Sequence, residues 1–209
     1  LTNGPSASVL TRVAVLTTDR GTMSVSLATV LWVESASPSE VTVHLPGGRS
    51  GRLAGADVAL AHKQEPATFT PQDVLGSARG FLGLRYLWGG TSGWGVDCSG
   101  LVHLAFRARR LLVPRDAADQ AGWSELARVP LDEVRPGDLY FFARPGHPVH
   151  HVGFATSAVG NDGARAMLHA PEGRAVEERP MSPERQAMLV SAGRISRPPP
   201  DGSPTGWRR

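Results

Sequence analysis

Cysteine, lysine and long apolar runs are all scarce in this 209-residue chain. Cys98 is the only cysteine, so no disulfide can form within the chain, and Lys63 is the only lysine. No run of about 18 apolar residues is present, which excludes a transmembrane helix, and we expect no membrane insertion. The 24 glycines and 17 prolines stay below the level typical of disordered proteins. We therefore expect a globular protein with many turns.

Positive charge is carried almost entirely by arginine, and its excess is small. The formal net charge is +3, and the tightest basic cluster, Arg107, Arg109 and Arg110, falls on a predicted helix. Because no run of five basic residues occurs, this cluster is better explained as a solvated helix face than as a nucleic-acid site. We expect no nucleic-acid partner.

The first part of the chain has the pattern of short strands. Residues 9–16 and 24–33 are largely apolar, and Val41, Val43 and Leu45 alternate with polar neighbours. Glycine, proline and serine separate these segments as turns. Short strands with tight turns predict a small β-barrel or sandwich.

Two helices and then several strands are predicted in the rest of the chain. Thr70 is a good N-cap for a helix that starts at Pro71 and ends near residue 82. Apolar residues at three- and four-residue spacings predict a second helix over residues 98–112. Four strands are then predicted, at residues 138–143, 149–157, 166–169 and 176–178. Helices followed by an antiparallel sheet make an α+β domain.

Polar and proline-containing segments set the predicted domain boundaries. A short polar segment with two prolines separates the β-rich part from the α+β part, and a proline-rich segment ends the chain. The predicted parts are a β-rich domain at 1–62, a linker at 63–71, an α+β domain at 72–197 and a disordered tail at 198–209.

Cys98 is a candidate nucleophile because of its place in the chain. It follows a segment rich in glycine and tryptophan, residues 86–96, and begins the second predicted helix. The free amide groups and the dipole at a helix N-terminus favour a thiolate over a thiol. The alternative is a small buried residue with no chemical role. The position alone does not decide between the two.

A thiol nucleophile needs a base, and His151 and His169 are the best placed of the seven histidines. Each stands where a polar turn meets an apolar run, so adjacent antiparallel strands can bring the two side chains within hydrogen-bond reach. One imidazole would then take the thiol proton while the other orients it. His103, five residues after Cys98, points to another side of the helix and is expected to be structural. A single cysteine with scattered histidines has no recognisable zinc-ligand spacing, so we expect no metal.

Several sequence blocks resemble those of the NlpC/P60 cysteine peptidases, and they occur in the family's order. The blocks are RYLWGGTS at 85–92, DCSGLV at 97–102, VPRD at 113–116, RPGDLYFF at 135–142, HVGF at 151–154 and LHAP at 168–171. Gln120 follows the third of these blocks and also matches the family.

The resemblance implies a papain-like α+β fold, a catalytic set and no cofactor. Cys98 matches the family's nucleophile, His151 its general base and His169 its orienting residue. Tyr86 matches a tyrosine that lines the site and helps to hold the oxyanion. The implied reaction is amide hydrolysis through a thioester acyl-enzyme, at the bond between D-glutamate and a diamino acid in bacterial cell-wall peptides.

The blocks are most similar to one subgroup, the γ-D-glutamyl-L-diamino acid endopeptidases with N-terminal bacterial SH3-like domains. By this resemblance the β-rich first part is an SH3-like domain, and the substrate is a peptide of the L-Ala-γ-D-Glu-diamino acid type. Trp88, Asp97, Ser99 and Asp116 match substrate-binding positions. Asp97 has two interpretations, a ligand for the substrate ammonium and the N-cap of the second helix. Trp88 is either a site residue or part of the core.

Two other functions stay open at this stage. The chain is alternatively a wall-binding module without catalysis, or an acyltransferase that uses the same thiol and imidazole. We expect a monomer whose partners are cell-wall peptides. The sequence does not fix the compartment: the cell envelope suits wall remodelling and is slightly favoured, whereas the cytoplasm suits peptide recycling. It also leaves open whether the diamino acid is diaminopimelate or lysine.

Overall fold

A computed structural model describes residues 4–61, 68–160 and 162–196 of the chain. Most of the predicted linker and the whole predicted tail, residues 198–209, lie outside the described residues. The chain divides into two compact units, residues 1–67 with 92–94, and residues 68–91 with 95–209. Within the described part, no helix is long and apolar enough to cross a membrane.

The N-terminal unit consists of antiparallel strands, in agreement with the β-rich pattern of its sequence. The strands lie in the order β3-β2-β6-β5-β4-β1-β7. Its core is formed by small and branched apolar side chains such as Val9, Leu16, Val43 and Leu53. The strands are β1 (Ser6–Val9), β2 (Val13–Thr18), β3 (Gly21–Ser26), β4 (Val30–Ala36), β5 (Glu40–Leu45), β6 (Arg49–Ala54) and β7 (Val58–Ala61).

Two predicted strands of this unit are wrong in extent, because each is divided by a turn. Residues 9–16 form the end of β1 and the start of β2, and residues 24–33 are split between β3 and β4. In the second case Ala28 takes a φ of 65°, which a continuing strand does not permit. The apolar pattern did not reveal these breaks, since apolar residues occur on both sides of each turn.

The C-terminal unit carries three helices ahead of an antiparallel sheet of order β10-β15-β11-β12-β13-β14, and a fourth helix lies between β14 and β15. Helices and an antiparallel sheet are largely separate along the chain, so the α+β prediction is confirmed. The helices are α1 (Pro71–Arg79), α2 (Cys98–Arg107), α3 (Ala117–Gly122) and α4 (Pro183–Ala187). From residue 91 onward the strands are β8 (Thr91–Ser92), β9 (Gly95–Val96), β10 (Ala127–Val129), β11 (Leu139–Ala143), β12 (Val149–Ala155), β13 (Ala166–His169), β14 (Glu177–Pro180) and β15 (Leu189–Arg194). Helices α3 and α4 and strands β8, β9, β10 and β15 were not predicted.

The start of α1 is the predicted one. The Thr70 side chain accepts from the Asp73 amide at 3.2 Å, and the Asp73 carboxylate accepts from the Thr70 amide at 2.8 Å, which makes a capping box. The helix ends at Arg79, just before Gly80, instead of near residue 82. Helix α2 likewise ends early, at Arg107, and the chain turns away there.

Aromatic packing fixes α2 against its neighbours. Phe106, fully buried on α2, contacts Phe69 with a ring separation of 5.5 Å and Phe154 of β12 with 5.9 Å. Helix α2 packs on both α1 and β12. Since Cys98 is the first residue of α2, this packing places the thiol beside β12, the strand that carries His151.

A buried ion pair joins the start of β11 to the end of β15. Asp138, with no exposed surface, precedes β11, and its carboxylate accepts two bonds from the Arg194 guanidinium of β15, at 2.7 and 2.8 Å. The Arg135 amide donates a further bond at 2.8 Å.

We predict that Arg194→Leu lowers the free energy of unfolding by about 3 kcal/mol or more, because it leaves the Asp138 carboxylate buried without its cation. Urea denaturation measures this change. Arg128→Leu, which changes an exposed arginine of β10, is the control and should alter stability by less than about 0.5 kcal/mol. Equal losses in the two variants would contradict the assigned role of the pair.

Candidate active site

Cys98 is held at the start of α2 by a well-formed helix cap. The Asp97 carboxylate accepts a bond from the Gly100 amide at 2.7 Å, so Asp97 is the N-cap of α2. Gly100 permits the preceding loop to lie against the helix, because a Cβ at this position would overlap the carbonyl oxygen of Gly90. The glycine-rich loop and the helix start are thus packed together around the thiol.

The Cys98 thiol is buried, with only 8% of the residue exposed. Burial raises the pKa of this thiol, while backbone amides, those of Val152, Ser99 and Cys98 itself, act in the opposite direction and the Asp97 charge adds to the increase. The amide groups favour a thiolate as the sequence predicted, but burial has the larger effect. The raised pKa therefore favours a thiol over a thiolate in the resting site.

His151 and His169 lie side by side on neighbouring strands, as their positions in the sequence predicted. The Nε2 of His151 and the Nδ1 of His169 are 2.8 Å apart, and both residues are buried. Gly153 makes this approach possible, since a Cβ there would lie 2.9 Å from the Cβ of His169. The strand register and one glycine therefore set the geometry of the pair.

Both imidazoles are neutral at neutral pH. Burial is the main cause that holds the pKa of His151 well below its usual range, and the positive charge of Arg185 is the next. Burial and three nearby arginines lower the pKa of His169 to about 3, even though a carboxylate oxygen of Glu177 lies 3.5 Å from its Nε2. A neutral histidine pair has one shared proton and so adopts one of two tautomeric arrangements.

Glu177 favours one of these arrangements. It pairs with His169 in the register of β13 and β14, and its carboxylate is held by Arg174 at 3.1 Å and Arg179 at 3.5 Å. A carboxylate beside Nε2 of His169 favours a proton there, which leaves Nδ1 of His169 to accept from Nε2 of His151. The Nδ1 of His151 then carries a free lone pair. Nothing in the local sequence around Glu177 indicates this contact, because only the strand register shows that it faces His169.

The Asp97 carboxylate has further partners besides its capping bond. Arg115 donates to its two oxygens at 3.0 and 2.6 Å, and the Gly89 amide donates at 2.9 Å. The Ser99 hydroxyl lies 3.3 Å from the same carboxylate and accepts from Arg115 at 2.9 Å. Gln120 completes the cluster by donating to the Ser99 carbonyl at 3.1 Å. The capping interpretation of Asp97 is thus confirmed, and its oxygens are largely occupied.

A cleft reaches Cys98 from two sides, and four residues line both: Tyr86, Trp88, Cys98 and His150. The first side, which we call the Asp116 arm, is also lined by Asp97, Ser99, Arg115, Asp116 and Ala117. The second, which we call the arginine arm, is also lined by the two catalytic-candidate histidines and by Arg144, Arg174, Arg179, Arg185, Glu172 and Glu177. All of these residues belong to the C-terminal unit.

The two aromatic candidates also lie at the cleft. Trp88 is 80% exposed, so it is a surface residue of the cleft and not part of the core. Burial, followed by the charges of Cys98 and Asp97, raises the pKa of Tyr86 to about 12, so its phenol keeps its proton and can donate a hydrogen bond.

His103 lies outside this arrangement. His103 bonds through its Nδ1 to the Val113 carbonyl at 2.8 Å, the structural role expected from its position. Among residues 4–61, 68–160 and 162–196, no group of three or more His, Cys, Asp or Glu side chains is arranged to hold a metal ion.

We predict that alkylation of Cys98 by iodoacetamide becomes faster as the pH rises, without a plateau between about pH 6 and 8. A raised pKa keeps the proton on sulfur through neutral pH, and the thiolate is the reactive form. The rate constant measured against pH tests this. A plateau that begins below about pH 6 would contradict it, because it would mean a thiolate paired with a charged imidazole in the resting site.

Comparison with known proteins agrees with this architecture. The sequence pattern of the NlpC/P60 family matches residues 83–194, more than half of the chain. The crystal structure of an NlpC/P60 family protein from Bacillus cereus superposes with a TM-score of 0.82 at 30% identity, covering 93% of this chain and 64% of that one. The NlpC/P60 fold expected from the sequence is therefore confirmed.

Two curated relatives are named gamma-D-glutamyl-L-lysine dipeptidyl-peptidase. The one from Bacillus subtilis is 43% identical over 111 residues, which are 52% of this chain and 35% of the relative. The one from Bacillus cereus is 32% identical over 164 residues, which are 77% of this chain and 47% of the relative. The chain thus spans less than half the length of either relative. By its matched sequence pattern and its fold, the chain belongs to the NlpC/P60 family.

Proposed function

We propose that this protein is a cysteine endopeptidase that hydrolyses the γ-D-glutamyl–diamino acid amide bond of bacterial cell-wall peptides. The observation that carries the proposal is the ordered pair of His151 and His169 in the cleft that contains Cys98. The relatives named for γ-D-glutamyl peptides support the substrate class, as does a relative from Escherichia coli, 34% identical over 114 residues, named a murein DD-endopeptidase.

In the acylation step, the Cys98 sulfur attacks the γ-carbonyl carbon of D-glutamate while its proton passes to Nδ1 of His151. That nitrogen has the free lone pair, since Nε2 is engaged with His169. The bond between carbon and nitrogen then breaks, and His151 returns the proton to the departing amine. The products of this step are a thioester and the free diamino acid.

In the deacylation step, water attacks the thioester and gives a proton to His151, which passes it to the departing sulfur. The dipeptide acid leaves, and the neutral thiol and imidazole are restored. We assign the oxyanion to two donors, the protonated phenol of Tyr86 and the backbone amide of Cys98 at the start of α2.

The acyl half of the substrate is assigned to the Asp116 arm. Asp116 has 75% of its side chain exposed, and its nearest cation, Arg115, is 3.9 Å away and is bonded mainly to Asp97. Its carboxylate is therefore available for the ammonium of an N-terminal L-alanine, and an exposed ion pair of this kind is worth roughly 0.2–1 kcal/mol. We propose that Asp97 holds Arg115 and adds negative charge to this arm, while Trp88 and Ser99 shape its walls.

The N-terminal unit is proposed to be a bacterial SH3-like domain. Seven short antiparallel strands around a core of small and branched apolar residues support this assignment. All residues assigned to the site lie in one chain, so the site needs no second copy, and we propose a monomer.

The first test is product release. Wild-type protein incubated with L-Ala-γ-D-Glu-diaminopimelate should release L-Ala-D-Glu, and Cys98→Ala should lower the rate at least about a thousandfold. Mass spectrometry of the products measures both. An unchanged thermal unfolding curve for Cys98→Ala shows that the variant is folded. Binding of the peptide by a wild-type protein that does not cleave it would overturn the proposal in favour of a wall-binding module.

The second test concerns Glu177 as a positioning residue that acts through His169. Glu177→Gln removes the charge that favours the productive tautomer, so kcat should fall about tenfold, the effect of roughly 1.4 kcal/mol, with little change in KM. Glu172→Gln, which removes a carboxylate from the same arm without touching a histidine, is the control and should lower kcat much less. Equal decreases of kcat in the two variants, or a change in KM alone for Glu177→Gln, would contradict this role of Glu177.

A further inference from the structure

The arginine arm has an excess of positive charge close to the reacting sulfur. Four arginines line it against two glutamates. Arg174 and Arg179 are both engaged with the Glu177 carboxylate, at 3.1 and 3.5 Å. The guanidinium groups of Arg144 and Arg185 form no hydrogen bond or ion pair with any residue in the described part of the chain.

Arg185 is the more strongly constrained of these two. It is half-buried on α4, and its guanidinium lies over the Phe142 ring at 5.4 Å from the centroid. The Phe142 ring in turn lies 5.6 Å from that of His151. A stacked guanidinium keeps its edge free for hydrogen bonds in the ring plane, so the geometry suits a planar anion entering from the cleft.

Desolvation makes an anion favourable at this position. Partial burial lowers the pKa of Arg185, the sign of a cation that has lost water without gaining a full set of partners. A carboxylate restores these interactions and binds a guanidinium through two parallel hydrogen bonds. Glu177, whose charge acts on Arg185, is already shared among His169, Arg174 and Arg179 and does not fill this role.

We propose that Arg185, assisted by Arg144, binds a carboxylate of the departing diamino acid. This rests on the proposed function, which places the alanine ammonium in the Asp116 arm and hence the opposite half of the peptide in the arginine arm. Met181 and Met188, both half-buried, also line this arm and provide an apolar wall for the methylene groups of a diamino acid. Two carboxylates meet the description, the α-carboxylate and the side-chain carboxylate that diaminopimelate has and lysine lacks.

Three substrates distinguish between the two carboxylates. L-Ala-γ-D-Glu-diaminopimelate has both carboxylates on the departing side, and L-Ala-γ-D-Glu-L-lysine has only the α-carboxylate. The third substrate, the lysine peptide amidated at its C-terminus, has neither. All three share the same acyl half, so cleavage of any one of them supports the proposed function independently of this inference. Values of kcat/KM are measured for wild type, Arg185→Gln, Arg185→Lys and the control Arg107→Gln, an exposed arginine of α2 outside the cleft.

Wild type should cleave the substrate that carries the recognised carboxylate at least about tenfold faster than the amide, the effect of one charge-assisted bond. Arg185→Gln should reduce that ratio to near one, Arg185→Lys should recover part of it, and Arg107→Gln should keep it. If wild-type kcat/KM is lower for the lysine peptide than for the diaminopimelate peptide, the recognised group is the side-chain carboxylate. If it is lower for the amidated lysine peptide than for the lysine peptide, the recognised group is the α-carboxylate. Equal wild-type rates on all three substrates, or an equal loss on all three in Arg185→Gln, would overturn the inference.

Discussion

The hydrogen bond between His151 and His169 is the interaction on which the rest of the site depends. It needs β12 and β13 to be paired in one register, and it needs Gly153 to leave room for the second ring. Strand β12 is also packed against α2, which brings Cys98 beside this strand. A shift of one residue in register would turn either histidine to the other face. The fold therefore acts chiefly by fixing one contact between two side chains.

Burial then decides the charge state of this contact. Removing the thiol and the imidazoles from water disfavours their charged forms, and the amides at the start of α2 only partly offset this for sulfur. The site is therefore best described as a neutral thiol beside a neutral base, in which charge develops during the reaction. In such a site, nearby fixed charges such as Arg185 and Glu177 influence where the proton resides.

The amino-acid sequence predicted the main participants and left out those that depend on tertiary contacts. Cys98 could be found because it begins a helix, and His151 and His169 because each stands where a polar turn meets an apolar run. The family blocks surround all three. Glu177 could not, since nothing in its local sequence shows that it faces His169. The role of Asp97 stayed open for a similar reason: Arg115 is 18 residues away, and only the fold brings it to that carboxylate. The helix α4 that carries Arg185 has a signal, Ser182 as N-cap with Pro183 following, but its five residues are too short for a periodic pattern.

Nitrogen NMR of protein labelled at histidine, recorded at neutral pH, tests the central claim most directly. Chemical shifts and one-bond couplings identify which ring nitrogens carry protons. We expect neutral rings for both residues, with a proton on Nε2 of His151 and none on its Nδ1. A doubly protonated His151 at neutral pH, or a proton on its Nδ1 in the resting protein, would contradict it.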